Sequence, residues 1–326
     1  MSNKPRNSSI ELLRVFFMFL ILTIHVYGHG SGLDYKWIYS LGAECSTAWN
    51  LSLYSLGKIG VTGFIFISGY YGIKTSKRSH FQILMVPLFY TLLLSLAFHH
   101  YHLADVVNII FAFNGWWFVS CYVFLMLLAP FIEKGVKALE QKRFLMLLAG
   151  MVIYTYVMRF FSKDNSHDII FFLTIYMGAR YLKNYPASLL STIMRRGGVM
   201  AFVLLLSAPV VIEQIGWKAE SLNAYFLQNN NFLLFIACYW LIYQCEKKTF
   251  RNNMVNTLAT GSLAIYLVTD YPDVRTMLTP WILPYLLKGY GAIMIAGICL
   301  VILLADQLRQ YLFKILNVDK LIVNRF

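Results

Sequence analysis

Ten long apolar runs, separated by short basic connections, leave this chain very few folds. They lie at about 10–29, 51–73, 81–101, 115–133, 144–161, 168–183, 198–215, 231–246, 256–272 and 289–307. Each is near the length that crosses a hydrocarbon core as a helix. None alternates polar and apolar residues as a barrel strand would. A backbone in lipid must satisfy its own hydrogen bonds, so such runs become helices. Hydrophobic residues make up 59% of the 326 residues and charged residues 13%, half the charged share of a soluble domain. The expectation is an all-α integral membrane protein of about ten transmembrane helices. It forms one unit over 1–326, with no separate soluble domain, because the longest connection, about 30–50, is too short to fold alone. No small-x-small cleavage site follows the first run, so that run is expected to stay as a span.

Charge orients the spans. With the N-terminus inside, 20 Lys and Arg fall in inside connections. Seven fall outside: Lys36, Lys58, Arg159, Lys163, Lys218, Arg275 and Lys288. This asymmetry places both termini in the cytoplasm. The net charge of +13 then follows from scattered loop residues that meet anionic lipid headgroups. It does not describe a nucleic-acid surface. The five cysteines (Cys45, Cys121, Cys238, Cys245, Cys299) have no metal or disulfide spacing. His99, His100 and His102 crowd one end of the third span, but His99 and His100 point different ways on a helix. No metal is expected.

Ionisable residues inside an apolar run are costly, which makes them candidates for function. The first run holds two, Arg14 and His25. Eleven residues at ~100° come to three turns plus about 20°, so both lie on one helix face. They are roughly 16 Å apart along the axis. His29 follows one turn further on the same face, and Glu11 lies one turn below Arg14, within pairing reach. His25 near mid-depth suits a general base. Arg14 also reads as a topology anchor, and His25 as a polar contact to another helix.

Four further stretches carry both a structural and a functional reading. Gly60, Gly63, Ser68 and Gly69 in the second run allow close helix approach or a site built on exposed backbone. Lys74, Lys77 and Arg78, directly after it, read as an inside-positive anchor or as ligands for a nucleotide-like phosphate. Trp116 and Trp117 open the fourth run as belt residues or as a stacking platform for a sugar ring. Asp270, near the outer end of the ninth run and followed by Arg275, lines a cavity or caps a helix.

Taken together, these residues resemble the bacterial integral-membrane O-acyltransferases, acyltransferase family three. The likeness starts with Ile10-Glu-Leu-Leu-Arg14 and the ten-residue interval to His25. It continues through Phe64-Ile-Phe-Ile-Ser-Gly-Tyr70, the basic cluster Lys74–Arg78 before a span with Pro87, Trp116-Trp-Phe118 with Pro130 behind it, and Gly261-Ser-Leu-Ala-Ile-Tyr-Leu-Val268. It covers most of the chain. One departure stands out: Thr269 occupies the place where the family often has a histidine.

The resemblance implies O-acetylation in polysaccharide biosynthesis at the bacterial cytoplasmic (inner) membrane. An acyl group, most often acetyl from acetyl-CoA, passes to a hydroxyl of a cell-surface glycan or its lipid-linked precursor. It implies His25 as base or acyl carrier, and Arg14 with Lys74, Lys77 and Arg78 holding the CoA. It implies Trp116, Trp117, Tyr266 and Asp270 at the acceptor, with glycan-assembly proteins as possible partners. The rival expectations are a polysaccharide flippase or polymerase, and a small-molecule transporter with Arg14, His25 and Asp270 as a proton relay.

Overall fold

The computed structural model describes residues 6–28, 47–73, 76–99, 116–158, 167–215, 225–316 and 318. The described residues form twelve helices in chain order. They are α1 Ser8–Gly28, α2 Thr47–Tyr71, α3 Lys77–Ala97, α4 Trp117–Ala138, α5 Gln141–Val152, α6 Ile169–Asn184, α7 Leu189–Ile215, α8 Phe232–Lys247, α9 Asn253–Ala259, α10 Ser262–Thr269, α11 Pro272–Leu287 and α12 Gly291–Ile315. A π-helical stretch, Ile153–Met158, continues α5.

Local chemistry sets several starts. Ser76 and Ser79 form a reciprocal capping box before α3, with backbone-to-hydroxyl distances of 2.8 and 3.1 Å. Asp168, Asn231 and Asn252 cap α6, α8 and α9 by accepting a backbone N–H at 2.9–3.1 Å. Pro272 opens α11 at a position where a missing N–H costs nothing.

Among the described residues, five helices are long and apolar enough to cross a membrane: α1, α2 from Asn50, α4, α7 and α12. Their burial divides them. In α1 and α2, 72% and 78% of the apolar window is inside the bundle, against 22–28% in α4, α7 and α12. The first two form the centre, and the other three leave wide apolar faces for lipid.

Several sequence expectations change here. The ninth run is two helices, α9 and α10, broken at Thr260–Gly261. A Cβ at Gly261 would meet Asp306 Oδ2 at 2.8 Å, so the break brings backbone onto a buried carboxylate. The stretch read as the connection 273–288 is the helix α11. Lys58, read as an outside charge, is buried within α2, with its ammonium 4.8 Å from the Tyr54 ring centre. Arg309, read as an inside loop charge, is buried in α12.

Glycine spacing joins the central pair. Gly57, Gly60 and Gly63 recur every three residues on α2, and their missing side chains admit Ile24, the Phe17 carbonyl and the Phe17 ring of α1. Gly69, further along, takes the backbone of Tyr176 on α6. Packing is therefore what the small residues of this run do. Ser68 bonds the Phe64 carbonyl at 3.1 Å and the Tyr122 hydroxyl at 3.0 Å.

One end of the bundle is tied by hydrogen bonds. Ser8 N–H donates to the Phe250 carbonyl at 3.0 Å. Ser8 Oγ donates to Asn256 at 2.8 Å and accepts from the Asn252 N–H at 2.8 Å. Ser9 Oγ donates to the Lys248 carbonyl. The start of α1 thus sits with the end of α8 and the start of α9, so α1 and α8 run antiparallel. This is the proximal end; His25 lies toward the distal end.

Candidate active site

His25 is 4% exposed, on the last turns of α1. Its Nδ1 lies 2.8 Å from Thr269 Oγ1, at the end of α10. The same Thr269 hydroxyl donates back to the Ile265 carbonyl at 2.6 Å, a bond typical of threonine in a helix. A hydroxyl has one proton. With that proton on Ile265, Oγ1 accepts from His25, and the imidazole carries its proton on Nδ1. On the other side of the ring, Nε2 lies 3.8 Å from Asp270 Oδ1.

Asp270 is 2% exposed and is held in turn by Arg275 on the first turn of α11. Nη2 of Arg275 lies 2.6 Å from the Asp270 carboxylate and 3.1 Å from its carbonyl. The break between α10 and α11 at Tyr271–Pro272 lets acid and guanidinium meet five residues apart. Tyr266, one turn before Asp270, places its ring 5.7 Å from the imidazole. Phe118 packs at 5.7 Å on the Tyr266 ring.

The arrangement is an imidazole with a hydroxyl partner on one nitrogen and a carboxyl group beyond the other. Proton uptake at Nε2 makes an imidazolium that Asp270 stabilises at short range, in surroundings where charge is felt strongly.

The predicted site residues divide. His25, Tyr266 and Asp270 come together. Trp116 is near but behind them: it is buried, not in a lipid-facing belt, with its ring 6.4 Å from Tyr271. Trp117 is turned elsewhere, toward His167 at 4.4 Å and Phe172 at 5.9 Å. Arg14 stands at the proximal end, roughly 16 Å from His25 by helix rise. Its side chain is 39% exposed and 3.8 Å from Glu11. Lys74, the side chains of Lys77 and Arg78, and Cys45, His29, His100 and His102 lie outside the described residues.

Around Arg14 the proximal end carries a polar cluster that sequence reading missed. Tyr70 and Tyr71 donate to Glu246 at 2.7 and 3.2 Å, and Lys183 pairs with Glu246 at 2.9 Å. Arg180 pairs with Glu133 at 2.6 Å, and Tyr176 donates to Glu133 at 2.9 Å. A second missed feature is the buried pair of Asp306 and Arg309 on α12, bidentate at 2.6 and 2.9 Å. Asp306 also accepts from Tyr90 and Gln310, each at 2.7 Å. An acid inside the tenth apolar run was the available signal. Among the described residues, no trio of His, Cys, Asp or Glu is grouped as a metal needs, and the four described cysteines are free thiols.

An α-helical bundle with five helices long and apolar enough to cross a membrane among the described residues is that of a multi-pass membrane protein. The family model described as an acyltransferase domain, that of acyltransferase family 3, matches residues 7–306, and the chain belongs to that family. No curated protein and no solved structure gives a significant match.

Proposed function

We propose that this membrane acyltransferase moves an acyl group, acetyl by preference, from acyl-CoA to a hydroxyl of a cell-surface polysaccharide or its lipid-linked precursor. In this reading it is a multi-pass protein of the bacterial cytoplasmic membrane with ten spans. Its proximal end and both termini face the cytoplasm. The observation that supports the chemistry is the buried His25, whose Nδ1 bonds Thr269 and whose Nε2 lies 3.8 Å from Asp270.

A neutral sugar hydroxyl is a poor nucleophile, so a base must take its proton as the C–O bond forms. Nε2 of His25 accepts that proton while the hydroxyl oxygen attacks the thioester carbonyl. The C–S bond breaks, the thiolate of CoA leaves, and the imidazolium returns the proton to it. The charge balances throughout, and His25 ends as it began. Asp270, fixed by Arg275, stabilises the imidazolium between these steps. Arg14, at the face from which acetyl-CoA arrives, holds the phosphate end of the donor together with Lys74, Lys77 and Arg78. The 16 Å or so between Arg14 and His25 is then spanned by the arm of the donor.

The test is acyl transfer in membranes supplied with isotope-labelled acetyl-CoA, together with mass spectrometry of surface glycans from cells with and without the gene. Wild-type protein adds one ester increment. His25→Ala adds none while accumulating in the membrane at the wild-type level. Ester formation by His25→Ala at the wild-type rate would defeat the reading.

A further inference from the structure

The seam between α7 and α8 changes character near its proximal end. Gly198 of α7 has no side chain to hold α8 off, and a Cβ there would run into the Trp240 indole. Phe202, one turn further along α7, meets the same indole nearly edge-on at 5.5 Å. One turn the other way the seam turns cationic. The Arg195 guanidinium of α7 lies 4.9 Å from the centre of the Tyr243 ring of α8. The Lys247 ammonium lies 4.5 Å from the same centre. α7 starts beside the end of α6, and Lys183 there pairs with Glu246 at the end of α8, so these three residues close the seam at the proximal face.

The two cations share one ring, so they are at most about 9 Å apart. Among the described residues, neither has a carboxylate within ion-pair distance. Glu246, the acid next to Lys247 in sequence, is taken by Lys183, Tyr70 and Tyr71. Arg196, Lys248 and Arg251 add exposed positive charge close by in sequence. A topology anchor calls for cations at this end, but it does not call for two on one ring. Like charges held this close repel, and an aromatic face offsets only part of that. An anion between them reverses the sign of the interaction.

Below the cations the seam is apolar and open on its outer side. Val199 and Val203 are each 55% exposed, and only 22% of the apolar window of α7 is buried. Trp240 and Phe202 are half-buried between the two helices. From Arg195 to Val203 this surface runs about 12 Å along the axis. A ligand that fits has an anionic head and a hydrocarbon tail.

We propose that the seam binds an anionic phospholipid. Its phosphate sits between Arg195 and Lys247, and one chain lies along Trp240, Phe202 and Val203. Arginine offers a fork of N–H donors to phosphate oxygens, and lysine adds a mobile point charge. Basic pockets between membrane helices suit such heads. A zwitterionic head brings its own cation to a site that already holds two, so it binds less well. A soluble phosphate uses the charges and leaves the apolar seam uncovered. None of these residues belongs to the His25 site or to the group assigned to the donor, so the proposal stands apart from the acyltransferase reading.

The probes are phosphatidylglycerol and phosphatidylcholine, each with a diazirine in one chain. Each is photolysed as a minor component of phosphatidylcholine nanodiscs holding the full-length protein, and labelled peptides are identified by mass spectrometry. The glycerol-headed lipid labels 197–207 and 234–243 at least fivefold more strongly than the choline-headed one. Arg195→Gln with Lys247→Gln removes that excess. Lys247→Gln alone, at an exposed position, lowers it at least twofold. Lys142→Gln with Arg143→Gln, two exposed cations at the start of α5, keeps it. Excess inorganic phosphate or CoA in the buffer leaves it in place. Equal labelling by the two heads, or an excess that survives loss of Arg195 and Lys247, overturns the proposal. Loss of the excess in the α5 variant overturns it too, because general attraction to a basic face then explains the labelling. Displacement by phosphate or CoA shows that the cations serve a soluble anion and defeats the lipid assignment.

Discussion

Thr269 does the least obvious work at the residue scale. Its hydroxyl donates to the Ile265 carbonyl, which leaves its oxygen to accept from Nδ1 of His25. Thr269→Val keeps the shape and removes the acceptor. Losing one such buried bond is worth about 1–3 kcal/mol, or roughly five- to 150-fold in rate. Turnover of Thr269→Val should fall by that factor with membrane accumulation unchanged, and Thr269→Ser should recover most of it. Steady-state kinetics on both variants check this. Arg14 and His25 were legible from sequence because a charge and an imidazole in an apolar run have few cheap explanations. The pairing of His25 with Thr269 was not, since 244 residues separate the partners and threonine is unremarkable in a helix.

Glycine placement decides the contact that matters most among the elements, α1 on α2. A methyl group at Gly60 would run into the Phe17 carbonyl, a backbone atom that cannot turn aside. Gly297 on α12 has nothing within 4 Å of the corresponding position. Gly60→Ala should lower the unfolding temperature of the purified protein and its yield, whereas Gly297→Ala should leave both unchanged. Thermal unfolding of the two variants side by side tests this. Helix α11 escaped the hydropathy reading because Pro272, Asp273, Arg275, Pro280, Pro284 and Lys288 dilute its apolar residues. Proline at a first turn starts a helix as readily as proline elsewhere ends one.

Across the whole molecule, a buried ion pair within one helix gathers groups from segments far apart in sequence. Asp306 meets Arg309 on its own helix, Tyr90 from α3, and the chain break at Gly261. Removing one member of such a pair leaves a buried charge and costs about 3–5 kcal/mol, while replacing both with apolar residues is often neutral. Asp306→Ala should therefore be strongly destabilised, and Asp306→Leu with Arg309→Met should recover most of the loss in a thermal melt. Sidedness is testable on the same scale. The start of α1 is bonded to the α8–α9 connection, so single cysteines at Arg6 and Arg251 in a cysteine-free background must share one face of the membrane. In the proposed orientation, an impermeant thiol reagent labels both only after the cells are opened.

Sequence alone determined that the chain lives in a bilayer as helices, because unbroken apolar runs with scattered charge have no other way to satisfy their backbone. It also singled out Arg14, His25 and Asp270, because ionisable groups in such runs are expensive. Tertiary structure decided which of them work together. His25, Thr269, Asp270 and Arg275 meet only because α10 and α11 fold back on the end of α1. The same packing moved Lys58 and Arg309 from supposed loops into the interior. The direction of a side chain around a helix, and the neighbour it meets there, follow from packing that no single stretch of sequence contains.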